Sequence, residues 1–337
     1  MSGRERFYFV PGPHRQPVYM DVRPENMTRW HKAKEVLRIV YTLPFLLASV
    51  AGVAFALTVK QEWSMAVIIP LDVMVLALFV NFSNDYFDHK SGVDKIRFDT
   101  DRDPELRRDL LEMFDQKVFW SGNSLDRGII TEAQGKALMA ALVVIAVVLS
   151  IPILLYGGWT IVILGLIALA LAFFYTAPPL KLGSRGLGEL DVFMAFTMIV
   201  FFSYFVIVLE FSSTVLFVSL AIGLGAMIMR ISDSVPGYDA HLAKGEKNIA
   251  VHVGLENVAR VEAFLVVLVY ILVGLAALAE PFLAMLFLAL PLAVKALSVQ
   301  RKRDRLRFWR PIPLFLTQTI ALEMLTVAAL ILRTLTC

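Results

Sequence analysis

The apolar positions of this chain gather into nine continuous runs, each near the roughly 20 residues that a helical bilayer crossing needs. They cover approximately residues 37–59, 64–84, 136–156, 158–177, 188–209, 213–232, 259–279, 281–299 and 311–332. The pattern predicts an all-α integral membrane protein, a bundle of nine transmembrane helices. Four of the breaks between runs are short and almost free of net charge: Lys60-Gln61-Glu62, Gly157-Gly158, Glu210 to Ser213, and Glu280-Pro281.

The remaining connections are long and basic. Lys90, Lys95, Arg97, Arg102, Arg107, Arg108, Lys117 and Arg127 follow the second run, Lys181 and Arg185 the fourth, and Lys244 and Lys247 the sixth. Arg301, Lys302, Arg303, Arg305, Arg307 and Arg310 separate the last two. Lys and Arg therefore collect on one side, which the positive-inside rule places in the cytoplasm. The expected topology has the N-terminus inside and the C-terminus outside. Residues 1–35 read as a polar cytoplasmic tail, its first 30 residues as poorly ordered. Residues 36–337 read as one transmembrane domain, with cytoplasmic cap loops at about 85–134, 178–188, 233–257 and 300–310. Pro104 to Phe119 is amphipathic, and fits either a lid or an ordinary interfacial helix.

Composition agrees. Of 337 residues, 58% are hydrophobic and 18% charged, against about 45–50% and 25% in soluble domains. The expected location is the cell membrane, with polar chemistry facing the cytoplasm and no nucleic-acid partner. The lone cysteine, Cys337, excludes a disulfide framework, a zinc ribbon and an iron–sulfur cluster, and it lacks the residues that must follow a prenylated cysteine. No signal peptide is evident.

The chemistry concentrates where the second run ends, in Asn81-Phe-Ser-Asn84-Asp85-Tyr-Phe-Asp88-His-Lys-Ser-Gly92-Val-Asp94. At about 100° per residue, Asn81, Asn84, Asp85 and Asp88 share one helical face. Gly92 lets the chain turn, so that Asp94 can return to the same point. Carboxylates gathered at a membrane boundary repel one another unless a cation neutralises them. Hard oxygen ligands favour Mg²⁺ over Zn²⁺. A helix end followed by a solvated acidic loop is the plainer alternative. The face with five ligand-type residues reads better as a metal site that holds a diphosphate.

Three further segments open on the same side. Tyr175-Thr-Ala-Pro-Pro-Leu-Lys181 to Gly188-Glu189 offers Lys181 and Arg185 from a turn stiffened by two prolines, as an anion would require. Ser121 to Thr131 carries Arg127, another candidate phosphate ligand, and ends in Thr131, an N-cap with Glu132 and Gln134 in the first turn. Arg230 to Asn248 mirrors the first motif, with Asp233 near a helix end and Asp239 and His241 beyond it. That last loop reads equally as a simple connector. Asp72 and Asp191 lie within apolar runs. Each would cost a few kcal/mol against lipid, so both should face the bundle interior.

Taken together, these segments resemble the UbiA superfamily of intramembrane prenyltransferases. The nearest branch is that of 1,4-dihydroxy-2-naphthoate polyprenyltransferase. Asn84-Asp85-Tyr-Phe-Asp88-His-Lys-Ser-Gly92-Val-Asp94 is similar to the family's first aspartate-rich motif. Tyr175 to Leu190 resembles the loop after its fourth helix, and Ser121 to Thr131 the lead into its third. The second motif departs: with Gly245 set on the family glycine, Gly237 and His241 stand where two aspartates belong, and Glu246 and Asn248 also differ. Either Asp233, Asp239, His241 and Glu246 form a variant cradle, or the second Mg²⁺ is weakly held or absent.

The resemblance implies Mg²⁺-dependent transfer of a polyprenyl group from its diphosphate to an aromatic quinone precursor, as in menaquinone or ubiquinone synthesis. It implies metal ligation by Asp85, Asp88, Asp94 and Asn84, with Asp233, Asp239 and His241 as further candidates. Arg127, Lys181, Arg185, Asn84 and Asn81 would hold the diphosphate. Tyr175, Lys181, Asp85 and Asp88 would form the reaction centre, with Tyr175 facing the allylic cation. A lipid-soluble acceptor and the bilayer complete the expected partners. The alternatives are transfer to a non-aromatic lipid acceptor, a non-catalytic prenyl-lipid binder, and a cation transporter.

Overall fold

The computed structural model describes residues 7–9, 17–19, 24–91, 123–174, 186–243, 245, 247–302 and 306–336. Near the N-terminus β1 (Phe7–Phe9) pairs antiparallel with β2 (Pro17–Tyr19), Tyr8 opposite Val18. A helical turn at Pro24–Asn26 leads into α1 (Arg29–Leu37). The end of the segment read as a tail is therefore a capped helix, with the Thr28 side chain accepting a hydrogen bond from the His31 amide. Then follow α2 (Ile39–Leu57), α3 (Trp63–Ser91) and α4 (Glu132–Phe174). After them come α5 (Gly188–Val208), α6 (Ser213–Ser234) and the short α7 (Tyr238–Ala243) and α8 (Ile249–Val253). The chain finishes with α9 (Leu255–Ala279), a 3₁₀ stretch at Pro281–Ala289 running into α10 (Leu290–Gln300), and α11 (Pro311–Thr336).

Among the described residues seven helices are long and apolar enough to cross a membrane, or eight when Arg29–Leu37 and Tyr41–Leu57 count as one bent span. The 43-residue α4 is interrupted at Gly158, whose φ of 67° and ψ of −162° are not helical. At 1.5 Å per residue it would otherwise be about twice as long as a bilayer core is thick.

The chain divides into two compact units. One contains residues 1–42, 78–144 and 304–306; the other contains 43–77, 145–303 and 307–337. The first has a small apolar core of Val36, Phe82, Tyr86 and Leu125, with Ile129, Ile130, Leu138 and Met139 packed around it. In the second, α6 is central: Ala221, Ile222, Ala226, Ile228 and Ile231 are fully buried. Close helix approach rests on small residues, as expected where lipid offers no hydrophobic contrast. A Cβ on Gly52 of α2 would lie 2.1 Å from the Val200 carbonyl oxygen of α5, and Ser49 and Ser203 share a 2.9 Å hydrogen bond between the same helices. Asp72 accepts from Ser150 at 2.9 Å, which satisfies part of its buried carboxylate inside the second unit.

Candidate functional site

Helix α3 continues to Ser91, so Asn81, Asn84, Asp85 and Asp88 are all helical and share the face that their spacing predicts. Phe82 and Tyr86, on the adjacent face, are buried in the first unit's core and fix the rotation of the helix. Asp85 is 1% exposed. Its Oδ1 lies 3.2 Å from Nη1 of Arg38. Arg38 adopts left-handed backbone geometry (φ 49°) at the end of α1 and also lies 5.2 Å from the Tyr41 ring centroid. A buried carboxylate facing a guanidinium is the arrangement that removal from water demands. Asn81 carries a buried amide nitrogen with no acceptor among the described residues, a donor suited to an anionic oxygen.

Asn123 fastens the segment before α4 to this helix. Its side-chain nitrogen donates to the Asp85 carbonyl at 2.7 Å, while its side-chain oxygen accepts from the Leu125 and Asp126 amides at 3.0 and 3.4 Å. His89 Nδ1 and Asp126 Oδ1 stand 2.6 Å apart, and Lys90 pairs with Glu132. Thr131 and Gln134 form a reciprocal capping box: each backbone amide donates to the other's side-chain oxygen, as the sequence predicts in part. Arg127 has no exposed side-chain area, and its Nη1 donates to Glu35 Oε2 of α1 at 2.9 Å. The structure thus places Arg127 in an ion pair with α1.

In the second unit, Asp233 near the end of α6 accepts from Arg230 at 2.9 Å. Asp239 is exposed at the start of α7, and His241 is buried on the same short helix. Two hidden contacts tie the segment after the fourth apolar run to this loop. Gly186 (φ 87°) lies so near Lys247 that a Cβ would come within 2.2 Å of the Lys247 carbonyl oxygen, and Glu189 accepts from the Ile249 amide at 3.0 Å. Asn248 caps α8 by accepting from the Val251 amide at 2.8 Å. Beside Asp233 at the end of α6, Ser232 donates to the fully buried Glu262 at 2.7 Å.

Asp94, Tyr175, Lys181, Arg185 and Glu246 lie outside the described residues, as does Pro104–Phe119. Among the described residues no three His, Cys, Asp or Glu side chains gather as a cation site; the acidic face supplies two carboxylates, Asp85 and Asp88. Sequence reasoning missed Arg38 beside the acidic face and Glu35 as the partner of Arg127 in the first unit, and in the second it missed the tie of Glu189 to the Ile249 amide. The available signal for Arg38 was a cation standing alone inside the first apolar run.

The model of the UbiA prenyltransferase family matches residues 45–317. The chain belongs to this family. A curated relative, the 2-carboxy-1,4-naphthoquinone phytyltransferase of Synechocystis sp., is 25% identical over 286 residues, 83% of this chain and 84% of its own. Two solved structures share the fold. A UbiA homolog from Archaeoglobus fulgidus bound to GPP and Mg²⁺ has a TM-score of 0.58 at 17% identity, and the apo UbiA homolog from Aeropyrum pernix K1 has 0.62 at 16%. Each match covers 88% of this chain and 99% of the other. The protein is a membrane-embedded prenyltransferase, and the family resemblance read from its motifs holds.

For a UbiA prenyltransferase the donor set is chemically apt. Asp85 and Asp88 with the amides of Asn81 and Asn84 present hard oxygens and no sulfur, which suits a small divalent cation. The burial of Asp85 against a guanidinium shows that this spot already favours positive charge.

Proposed function

We propose that this prenyltransferase moves a polyprenyl group from a polyprenyl diphosphate to an aromatic quinone precursor within the membrane, with Mg²⁺ at the Asp85–Asp88 face. The observation that carries the reading is the buried Asp85, paired with Arg38 on the face shared by Asn81, Asn84 and Asp88. The Synechocystis relative is named for a naphthoquinone acceptor and a phytyl donor. The Archaeoglobus homolog was solved with Mg²⁺ and either GPP or DMAPP, which supports the same choice of metal and donor.

Asp85, Asp88 and Asn84 would hold Mg²⁺, with Asp94 as a further ligand. The ion supplies Lewis-acid stabilisation of negative charge on a departing diphosphate. Arg38 lends fixed positive charge beside Asp85, and Asn81 offers its buried amide to a diphosphate oxygen. By the family resemblance, Lys181 and Arg185 would add to the anion clamp, and Tyr175 would serve an allylic cation, whose charge an aromatic face attracts. A reacting carbon held among apolar helices would be kept from water, which would otherwise capture that cation.

The reading includes nine crossings: α4 counted as two at its Gly158 break, and α2 entering through its bend with α1. The acidic face would then open to the cytoplasm, with the chain's N-terminus on that side.

The test incubates purified protein with Mg²⁺, mixed polyprenyl diphosphates and a panel of quinone precursors, with mass spectrometry of the products. A prenylated aromatic product that disappears on chelation is expected. Product formed only with a glycerol-phosphate lipid acceptor, or donor bound without turnover, would overturn the proposed acceptor or the proposed catalysis respectively.

A further inference from the structure

The two acidic segments of this chain are built differently, and the difference bears on how many cations it takes. On α3, Asp85 and Asp88 lie three residues apart on one helix face, and Asp85 is buried. In the second segment, Asp233 also pairs with an arginine, Arg230 of its own helix at 2.9 Å, but its side chain stays 42% exposed and keeps its water. The positions three and four residues after Asp233 are Pro236 and Gly237, which bring no ligand. Asp239 is exposed, and three and four residues beyond it stand Leu242 and Ala243. His241 is only two residues from Asp239 within α7, so the two side chains leave opposite sides of the helix.

The neighbouring polar groups of that segment are committed to holding the chain together. Asn248 caps α8, Glu189 receives the Ile249 amide, and Ser232 binds Glu262. Among the described residues Asp233, Asp239 and His241 do not gather as a second metal cradle; Glu246, the fourth candidate, lies outside them.

The first segment carries a matching sign. In a two-metal site the ions sit about 3.5–4 Å apart, and a carboxylate that bridges them gives one oxygen to each. Here Oδ1 of Asp85 is met at 3.2 Å by the Arg38 guanidinium. Arg38 is fixed from two directions, by its left-handed backbone and by the Tyr41 ring. Unlike a metal ion, a guanidinium stays with the chain and keeps its charge at every working pH.

We infer that this prenyltransferase takes one divalent cation per chain, at the Asp85–Asp88 face, and that the Arg38 guanidinium occupies the place a second cation would take on Asp85. The inference rests on the reading of that face as a metal-dependent diphosphate site. It names the metal count and the residue that makes one ion sufficient.

Electron paramagnetic resonance counting of Mn²⁺ tests it, on the full chain in lipid nanodiscs with an unreactive prenyl thiolodiphosphate as donor analogue. One Mn²⁺ per chain is expected, without coupling between two ions. Asp88→Asn is expected to lower the count to zero, while Asp233→Asn and Asp239→Asn leave it at one. Arg38→Gln, which removes the guanidinium from Oδ1, is expected to raise the count to two at high Mn²⁺. Two coupled ions in the unmodified chain, or loss of an ion with Asp233→Asn or Asp239→Asn, would overturn the single-cation inference and leave the diphosphate reading standing. An Arg38→Gln count that stays at one overturns the role given to Arg38. No bound Mn²⁺ with the analogue in place overturns both the inference and the metal-dependent reading. Native melting behaviour of each variant in the same nanodiscs separates lost ligation from lost folding.

Discussion

Asp85 sits at 1% exposure with its carboxylate against Arg38 and its carbonyl held by Asn123. Position and charge are fixed by different contacts, so replacing the side chain removes the charge while Asn123 still holds the helix. Asp85→Ala or Asp88→Ala is therefore expected to abolish Mg²⁺-dependent diphosphate release, measured as free diphosphate from a polyprenyl donor. Retained turnover in both variants would sink the metal assignment. Arg127 shows the opposite division of labour. Its guanidinium is enclosed and paired with Glu35, so removing Glu35 takes away one of the contacts that compensate a buried cation. Glu35 keeps some exposure, so Glu35→Ala is expected to cost about 2–3 kcal/mol, read as a lower melting temperature. An unchanged melting temperature would mean that α1 is not held by this pair. Helical periodicity exposes Asn81, Asn84, Asp85 and Asp88 in the sequence because they lie within eight positions. It is blind to Glu35 and Arg127, 92 residues apart, since no local period encodes a contact at that range.

At the scale of elements, boundaries with local chemistry were legible. Thr131 caps α4, Glu280-Pro281 closes α9, and α5 and α6 begin at Gly188 and Ser213, where the apolar pattern begins. The hydrophobic run stops short on α3, which continues through its polar residues to Ser91, because core packing of Phe82 and Tyr86 sustains a helix whose outer face is polar. Gly186 matters for a reason that composition hides. Its φ of 87° is costly for any residue with a Cβ, and that Cβ would strike the Lys247 carbonyl. Strain of this kind runs to about 1–3 kcal/mol before the clash is counted. Gly186→Ala is thus expected to displace the 186–189 segment from Lys247–Ile249 and to lower melting temperature and turnover together. A variant with unchanged turnover and melting temperature would show that the two segments do not depend on one another.

At the scale of the whole molecule, contacts within the second unit sort its helix ends into two groups. Lys60 donates to the Tyr156 hydroxyl at 2.6 Å, which raises the Lys60 pKa, and that hydroxyl donates to the Ile207 carbonyl at 3.2 Å. These bonds gather the turn after α2, the break in α4 and the end of α5. Glu280 binds Arg333 at 2.9 Å, joining the turn after α9 to the last stretch of α11. The opposite ends of α5, α6 and α9 meet through Glu189 to Ile249 and Ser232 to Glu262. Within this unit short, weakly charged turns are thus joined to one another after α2, at the break in α4 and after α5, while Glu189 and Ile249 join two basic connections, as a membrane between the two sets would require. The lone cysteine makes the orientation testable. With Cys337 replaced by serine, Gln61→Cys is expected to react with an impermeant maleimide in intact cells. Lys95→Cys and Lys247→Cys should react only after the membrane is opened. Labelling of Lys247→Cys in intact cells would invert the topology. It would put the Asp233–Asn248 segment outside the cell, where no cytoplasmic pool of polyprenyl diphosphate could reach it.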